Sequence, residues 1–367
     1  MPSPEVRLDR MRPDQVAAAM RRAPVAWLPL GAVEYHAPHL PIGTDSLTAV
    51  EVVARAAYAV GGVVLPPVVT TLGTLHLPWS LRFDATLVEA TLRATIDQLA
   101  EAGARVVVVH TGHAPLDLLH LIKRVCAEAE AARRATDDAF RAHGLCYLEL
   151  NAASGAGLGT DWPVPVDHGS VLETSLVLAI APELVDLDAL PDPVGASVVG
   201  VYGPDPRGRA SADLGETRLS DASALLAERV ETLIAGGTVD AFADLRLLVG
   251  RYWPEPMELA LGDPSSLLLR NVGPVSRYLS QLALAIDDRP IDPALVRLRN
   301  PTPGEAGVAV TGAQLGPEAG FYVRRGQAAE VLLPEPLAPG VHDIVLELGL
   351  AGVSATQLRA ALEVPHA

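Results

Sequence analysis

Ala104-Arg105-Val106-Val107-Val108-Val109-His110 sets four consecutive valines between a charged residue and a histidine. β-Branched side chains without polar alternation suit a strand buried on both faces of a parallel sheet. Residues 85–101 before it and 117–134 after it have the apolar spacing of amphipathic helices. Farther out, Val25-Ala26-Trp27-Leu28-Pro29-Leu30 reads as a short buried strand ended by Gly31. Residues 44–57 then read as a helix capped by Thr44, Asp45 or Ser46. Residues 62–67 and 144–150 supply further apolar strand-like runs, and residues 172–180 and 222–235 further helices. This alternation predicts an α/β domain with helices on both faces of a mainly parallel sheet.

Past about residue 245 the texture changes. Leu282-Ala283-Leu284-Ala285-Ile286 and Ile344-Val345-Leu346-Glu347-Leu348 alternate with a period of two, and Asp-Asp-Arg-Pro and Pro-Gly turns break up the rest. The one segment with a helical pattern lies near residues 354–362. The expectation is a small antiparallel β-sandwich of roughly a hundred residues, serving oligomer contacts or covering the site. The boundaries are drawn at 1–243 and 244–367.

The 367-residue chain is 49% hydrophobic, which supports real cores. Its 28 Lys plus Arg against 44 Asp plus Glu give a formal charge of −16. Such a surface argues against nucleic acid and anionic membranes as partners. A small anion is not excluded, because a bound cation reverses the sign locally. Cys126 and Cys146 form no metal or redox spacing and read as core residues. Met1-Pro2-Ser3-Pro4-Glu5-Val6-Arg7 lacks the apolar run of a signal peptide, and no apolar stretch is long enough to span a membrane. A cytoplasmic location is expected.

Three polar loops follow the strand-like segments. The first is Glu34-Tyr35-His36-Ala37-Pro38-His39-Leu40-Pro41-Ile42-Gly43-Thr44-Asp45, a mixture of imidazole and carboxylate suited to zinc, manganese or iron. The second is His110-Thr111-Gly112-His113-Ala114-Pro115-Leu116-Asp117. The third begins at Asp161-Trp162 and runs through Asp167-His168 to Glu173-Thr174-Ser175. Loops after parallel strands converge on one sheet edge, so the three would share a crevice.

The first loop is similar to the signature of the creatininase (creatinine amidohydrolase) family, Leu-Pro-x-Gly-x-x-Glu-x-His-x-x-His-Leu-Pro-x-x-Thr-Asp. Leu28-Pro29, Gly31 and Glu34 through Asp45 match it almost throughout. The second resembles the family's Asn-Gly-His-Gly-Gly-Asn, of which Gly112 and His113 remain, and the third its His-Ala-Gly-x-x-Glu-Thr-Ser, with His168, Glu173, Thr174 and Ser175 retained. Residues 200–206 and 210–216 resemble the family's closing stretch. The resemblance covers about residues 5–240 and not the sandwich. It implies a three-layer α/β/α sandwich, two divalent metal ions, a hexameric homo-oligomer and hydrolysis of C–N bonds in small cyclic amides. By motif position Glu34 and His113 would ligate one metal and His36 the second, with Asp45 bridging. Creatininase has a ligating Glu where this chain has Pro115, so Glu173 is the natural substitute.

Two cations sharing a water lower its pKa and hold it against a carbonyl. Three carboxylates and two neutral imidazoles leave such a pair close to one net positive charge. The leaving nitrogen needs a proton, for which His168 is the candidate shuttle, with Asp167 as base or as orienter of the imidazole. His39, His76 and Trp162 are candidate substrate contacts, His39 alternatively a loop support. Plainer readings stand beside these: a packed histidine at His113, a helix N-terminal carboxylate at Glu173, and structural histidines at His110, His120 and His168. Thr111 and Ala114-Pro115-Leu116 replace Asn and Gly-Gly-Asn, and Phe83-Asp84-Ala85-Thr86 replaces Phe-Pro-Gly-Thr. These changes lie on the substrate side, so a substrate other than creatinine is expected. Two alternatives to amide hydrolysis are hydrolysis of a ring C–C bond in a cyclic ketone such as a keto-inositol, and a non-catalytic binding protein on the same fold.

Overall fold

The computed structural model describes residues 5–133, 139–153, 167–192, 198–241, 243, 257–271, 277–299, 310–315, 321–323, 328–350 and 356–365. Trp162 lies outside them, and so does the stretch that follows the expected boundary at 243. The chain divides into two compact units, Met1–Asp244 and Leu245–Ala367.

The first unit is built on a four-stranded parallel sheet of β1 (Val25–Leu30), β2 (Val63–Val64), β3 (Val106–Thr111) and β4 (Arg141–Cys146), in the order β2-β1-β3-β4. Every residue of β1 and β3 is buried, as the unbroken apolar runs require. Helices α1 (Pro13–Arg22), α2 (Thr44–Val60), α3 (Ala85–Glu101) and α4 (Leu116–Arg133) interleave with the strands. After β4 come α5 (Tyr147–Ala153), α6 (Val171–Ile180) and α7 (Ala212–Ile234). Alternate residues of β1 and β3 (Ala26, Leu28, Leu30, Val107, Val109) pack with Val88, Leu92 and Ile96 of α3 and Leu118, Ile122 and Val125 of α4. Helices α2, α6 and α7 pack on one another. The architecture is α/β, with the expected parallel sheet and helices.

Three local expectations are corrected. Residues 144–150 do not form one strand: β4 ends at Cys146 and α5 begins at Tyr147. A short apolar run cannot separate the two states. Here Glu149 Oε2 accepts from the Cys146 N–H at 2.8 Å and holds the turn between them. Helix α7 starts at Ala212, ten residues before the expected 222, where Ser211 Oγ accepts from the Leu214 N–H at 3.2 Å. The N-cap of α2 is Gly43, so Asp45 is not spent on capping. Helix α1, which was not expected, carries Pro13 and Asp14 in its first turn and Arg21 and Arg22 in its last.

The second unit contains β5 (Met257–Asp263), β6 (Ser266–Asn271), β7 (Arg277–Ile286), β8 (Arg289–Ile291), β9 (Arg297–Arg299), β10 (Val310–Thr311), β11 (Phe321–Val323), β12 (Ala328–Leu332), β13 (Gly340–Leu350) and β14 (Thr356–Val364). They form two antiparallel five-stranded sheets, β10-β9-β12-β6-β5 and β11-β7-β13-β14, with β8 beside β7. Leucines and valines of both sheets share one core, including Leu267, Leu269, Leu284, Val331 and Leu346. Asp287 and Asp288, both at positive φ (50° and 60°), make the tight β7–β8 turn. The helix expected near residues 354–362 is instead β14, paired with β13 from Gly340↔Val364 to Leu348↔Thr356. Leu358 and Leu362, which both pack on the sandwich core, are four residues apart. That spacing fits a helix face and every second strand position alike, so the partner strand decides.

Candidate metal centre

The site forms where the carboxyl ends of β1 and β3 lie side by side, with Leu30 paired to Thr111 and the Gly112 N–H donating to Leu30 O at 3.0 Å. The first turn of α2 sits directly on both strand exits. A Cβ on Gly31 would stand 2.1 Å from Ser46 Oγ, and one on Gly112 2.1 Å from Asp45 O. Both positions therefore need glycine for close approach rather than for φ. Helix α2 thus delivers Asp45 between the two polar loops, with its carboxylate in the favourable first turn of a helix.

Asp45 faces a histidine with each oxygen: Oδ1 lies 3.2 Å from His36 Nε2, and Oδ2 3.4 Å from His113 Nδ1. A second carboxylate completes each half. Glu34 Oε2 is 3.0 Å from His113 Nδ1, and Glu173 Oε2 is 3.6 Å from His36 Nε2. Glu34-Asp45-His113 and His36-Asp45-Glu173 each bring ligand atoms close enough to hold one cation, and Glu34-His36-His168 is a third, overlapping group. All five of Glu34, His36, Asp45, His113 and Glu173 are buried.

Neighbours fix the tautomers. The Glu34 main-chain oxygen lies 3.0 Å from His36 Nδ1 and can only accept, so Nδ1 carries a proton and Nε2 is the nitrogen a ligand would take on losing its own. The Leu75 N–H donates to Glu34 Oε1 and leaves Oε2 facing His113. Thr111, standing where the family has Asn, donates its hydroxyl to His113 O at 2.7 Å and accepts from the His113 N–H at 3.0 Å. Pro115 has no ligand atom in its side chain, and its ring packs where Gly73, at φ 87°, has no side chain. The Gly169 N–H donates to Glu173 Oε2 at 2.7 Å.

Three buried carboxylates at this spacing repel one another unless cations intervene. For Asp45, burial raises the pKa but His36 and His113 outweigh it and hold the group far below the carboxylate range. Burial likewise opposes the pull of His113 on Glu34, which ends below its usual value. Glu173 is pushed up to about 8 by burial, against the pull of His36. Burial lowers His36, yet Asp45 and Glu173 carry it up to about 10. His113 also rises, through Glu34 and Asp45 against burial. The cluster thus holds protons that a metal would displace. Glu34 Oε2, His36 Nε2 and Asp45 Oδ2 are buried without a hydrogen-bond partner of good geometry. This donor set, oxygen and imidazole nitrogen at unsatisfied atoms, fits divalent first-row metals.

The other expected residues fall in four places. His168 stacks on His36 with ring centroids 4.2 Å apart, and its Nε2–H donates to Tyr35 O at 2.9 Å. Its lone pair is therefore on Nδ1. Burial, then His36, lowers its pKa to about 4. Asp167 spends both carboxylate oxygens on the Leu172 and Glu173 N–H groups, at 2.8 and 3.0 Å, so it caps α6. Burial pushes it up to about 6. His39 is fully buried with Nε2 2.9 Å from Thr174 Oγ1, and burial lowers it to about 4. His76 is exposed, on the same loop as Leu75. Sequence reasoning missed the Leu75 N–H, which leaves no trace in residue type. It also missed Tyr147, whose hydroxyl lies 3.5 Å from Glu173 Oε1 and whose segment was read as strand.

A family model described as creatinine amidohydrolase matches residues 9–242. A creatinine amidohydrolase of Pseudomonas putida is 30% identical over 183 residues, which are 46% of this chain and 68% of that protein. A crystal structure of creatinine amidohydrolase superposes with a TM-score of 0.51 at 24% identity, over 62% of this chain and 97% of the other. A manganese form of creatininase gives 0.51 at 24% identity, over 62% and 98%. At that identity the two structures establish the fold.

Proposed function

This chain belongs to the creatinine amidohydrolase family, and from that premise we propose that it is a metal-dependent hydrolase opening a C–N bond in a small cyclic amide or a related ring. The observation that carries the reading is the divided carboxylate of Asp45, with one oxygen toward His36 and Glu173 and the other toward His113 and Glu34. Glu34, His113 and Asp45 would hold one divalent cation, and His36, Glu173 and Asp45 the second. When bound, such a pair lowers the pKa of a shared water and polarises the carbonyl under attack.

The chain's own residues supply the rest. His168, neutral and with its lone pair on Nδ1, takes the proton of the attacking water and returns it to the leaving nitrogen. The bond broken is the ring C–N bond, the bond formed is C–O, and the proton ends on nitrogen. Asp167, a candidate base or orienter of the His168 imidazole by sequence, gives both oxygens to the first turn of α6 and so aims Glu173. Glu173 stands in for the ligand that Pro115 removes. Thr111 and Pro115 close the second loop with a hydroxyl and a ring, which supports a substrate other than creatinine. His76 and Trp162 remain its proposed contacts, and a homo-oligomer its proposed assembly, testable by light scattering.

Elemental analysis of tag-free protein should find about one to two first-row metals per chain. A panel of cyclic amides should then show turnover that chelation abolishes. Protein that carries no metal, and takes none up after stripping, overturns the reading.

A further inference from the structure

We infer that the hydrogen bond between His39 and Thr174 sets the reach of Glu173 to His36 and Asp45, which makes both residues positioning residues for one half of the centre. The inference rests on the two-cation reading above. Glu34 and His36 share one loop, where each is fixed locally: Glu34 by the Leu75 N–H and His36 by the Glu34 main-chain oxygen. Glu173 comes from α6, where its Oε2 accepts from the Gly169 N–H of its own segment and its Oε1 lies 3.5 Å from the Tyr147 hydroxyl of α5, so neither bond joins it to that loop.

The side-chain tie from the loop to this helix is His39 Nε2 to Thr174 Oγ1, 2.9 Å, one residue from Glu173. The same histidine accepts the Asp186 N–H on its main-chain oxygen at 3.0 Å, so it clasps both α6 and the segment after it. His39 and Thr174 are 1% and 0% exposed. Water therefore does not compete for the bond, and losing one partner leaves the other unsatisfied. The tie from Tyr35 O to His168 holds the residues before the helix, and α2 and α7 pack along it, but none of these fixes α6 against the His36 loop beside Glu173. Thr174 supplies that restraint, and the half-site most sensitive to it is His36-Asp45-Glu173.

The test is calorimetric titration of metal-stripped protein with zinc alone, with folding checked by circular dichroism. Wild type should take up zinc in two steps. Thr174→Val, which removes the hydroxyl at constant shape, and His39→Leu should weaken one step by about ten- to a hundredfold, as loss of an outer-shell partner does. The other step should be unchanged. Thr174→Ser and His39→Gln, which keep the hydroxyl and a terminal N–H, should restore the wild-type isotherm. Two unchanged steps in folded Thr174→Val and His39→Leu, or equal weakening of both, overturn this inference alone. A wild type without two-step uptake overturns the two-cation reading and this inference with it.

Discussion

Gly112 lies so close beneath Asp45 that a methyl group on it would stand 2.1 Å from the Asp45 main-chain oxygen. The glycine is the seat on which the first turn of α2 rests, and that turn carries the carboxylate shared by both half-sites. Gly112→Ala must push α2 off the strand ends. Overpacking of this kind costs about 1–3 kcal/mol. The variant should unfold at lower urea and lose metal at the same time. Stability and uptake both equal to wild type would show that the seat is not needed.

Asp45 and Glu173 predict different losses. Asp45→Asn keeps the shape but removes the charge facing both histidines, so metal content should fall to near zero and turnover with it. Glu173→Gln changes the His36 half only, so one cation should remain on Glu34, Asp45 and His113. Metal analysis of the two variants, dialysed side by side, decides the matter. Equal stoichiometry in both would refute the bridging role of Asp45.

What the sequence discloses follows from range. The four valines of β3 and the run from Glu34 to Asp45 act through local pattern: the first forms the expected buried parallel strand, and the second brings its carboxylates and imidazoles together as a cluster able to hold a cation. Thr356–Val364 does not form the expected helix, because Leu358 and Leu362 satisfy two periods and only pairing with β13 selects one. The sequence left two roles open each for Asp167 and His39, for a related reason. Whether a carboxylate acts as base or cap depends on which N–H groups reach it. For Asp167 those are at Leu172 and Glu173. His39 turned inward because Thr174 is there to meet it.

Behind the sheet, Lys123 Nζ lies 2.7 Å from Glu149 Oε1, with the two side chains 1% and 0% exposed. The ammonium also donates to Gly144 O at 2.9 Å and Ala241 O at 2.6 Å, so it joins α4, β4, α5 and the chain beyond α7. Glu149→Gln keeps an oxygen for the Cys146 N–H but removes the negative charge. Breaking a buried pair from one side costs about 3–5 kcal/mol. Lys123→Met in the same background should recover part of that, since the uncompensated charge goes too. Urea unfolding of the two variants tests both. A single variant as stable as wild type would show that the pair contributes nothing.

Acid should destabilise the fold through histidines outside the centre. His110 is wholly buried at the end of β3, and burial lowers its pKa to about 3, with the Ala49 backbone acting the other way. In the unfolded chain it titrates near 6.5. Above that value both states are neutral and the residue contributes no pH dependence. Below it the unfolded chain takes up a proton that the folded chain refuses, so stability falls as the pH drops from about 6.5 towards 3. At pH 5 the difference is about 2 kcal/mol for this one group. His143 is lowered to about 3, also by burial, with Lys123 adding to it. It contributes with the same sign. His110→Leu removes the titrating group while filling similar volume, so its unfolding free energy should change less between pH 7.5 and pH 5 than that of wild type. Comparing the two proteins in the same chelator-free buffers cancels the proton linkage of the metal centre, which both retain. Parallel pH profiles would mean that His110 is protonated in the folded state, and the buried, neutral histidine would have to be abandoned.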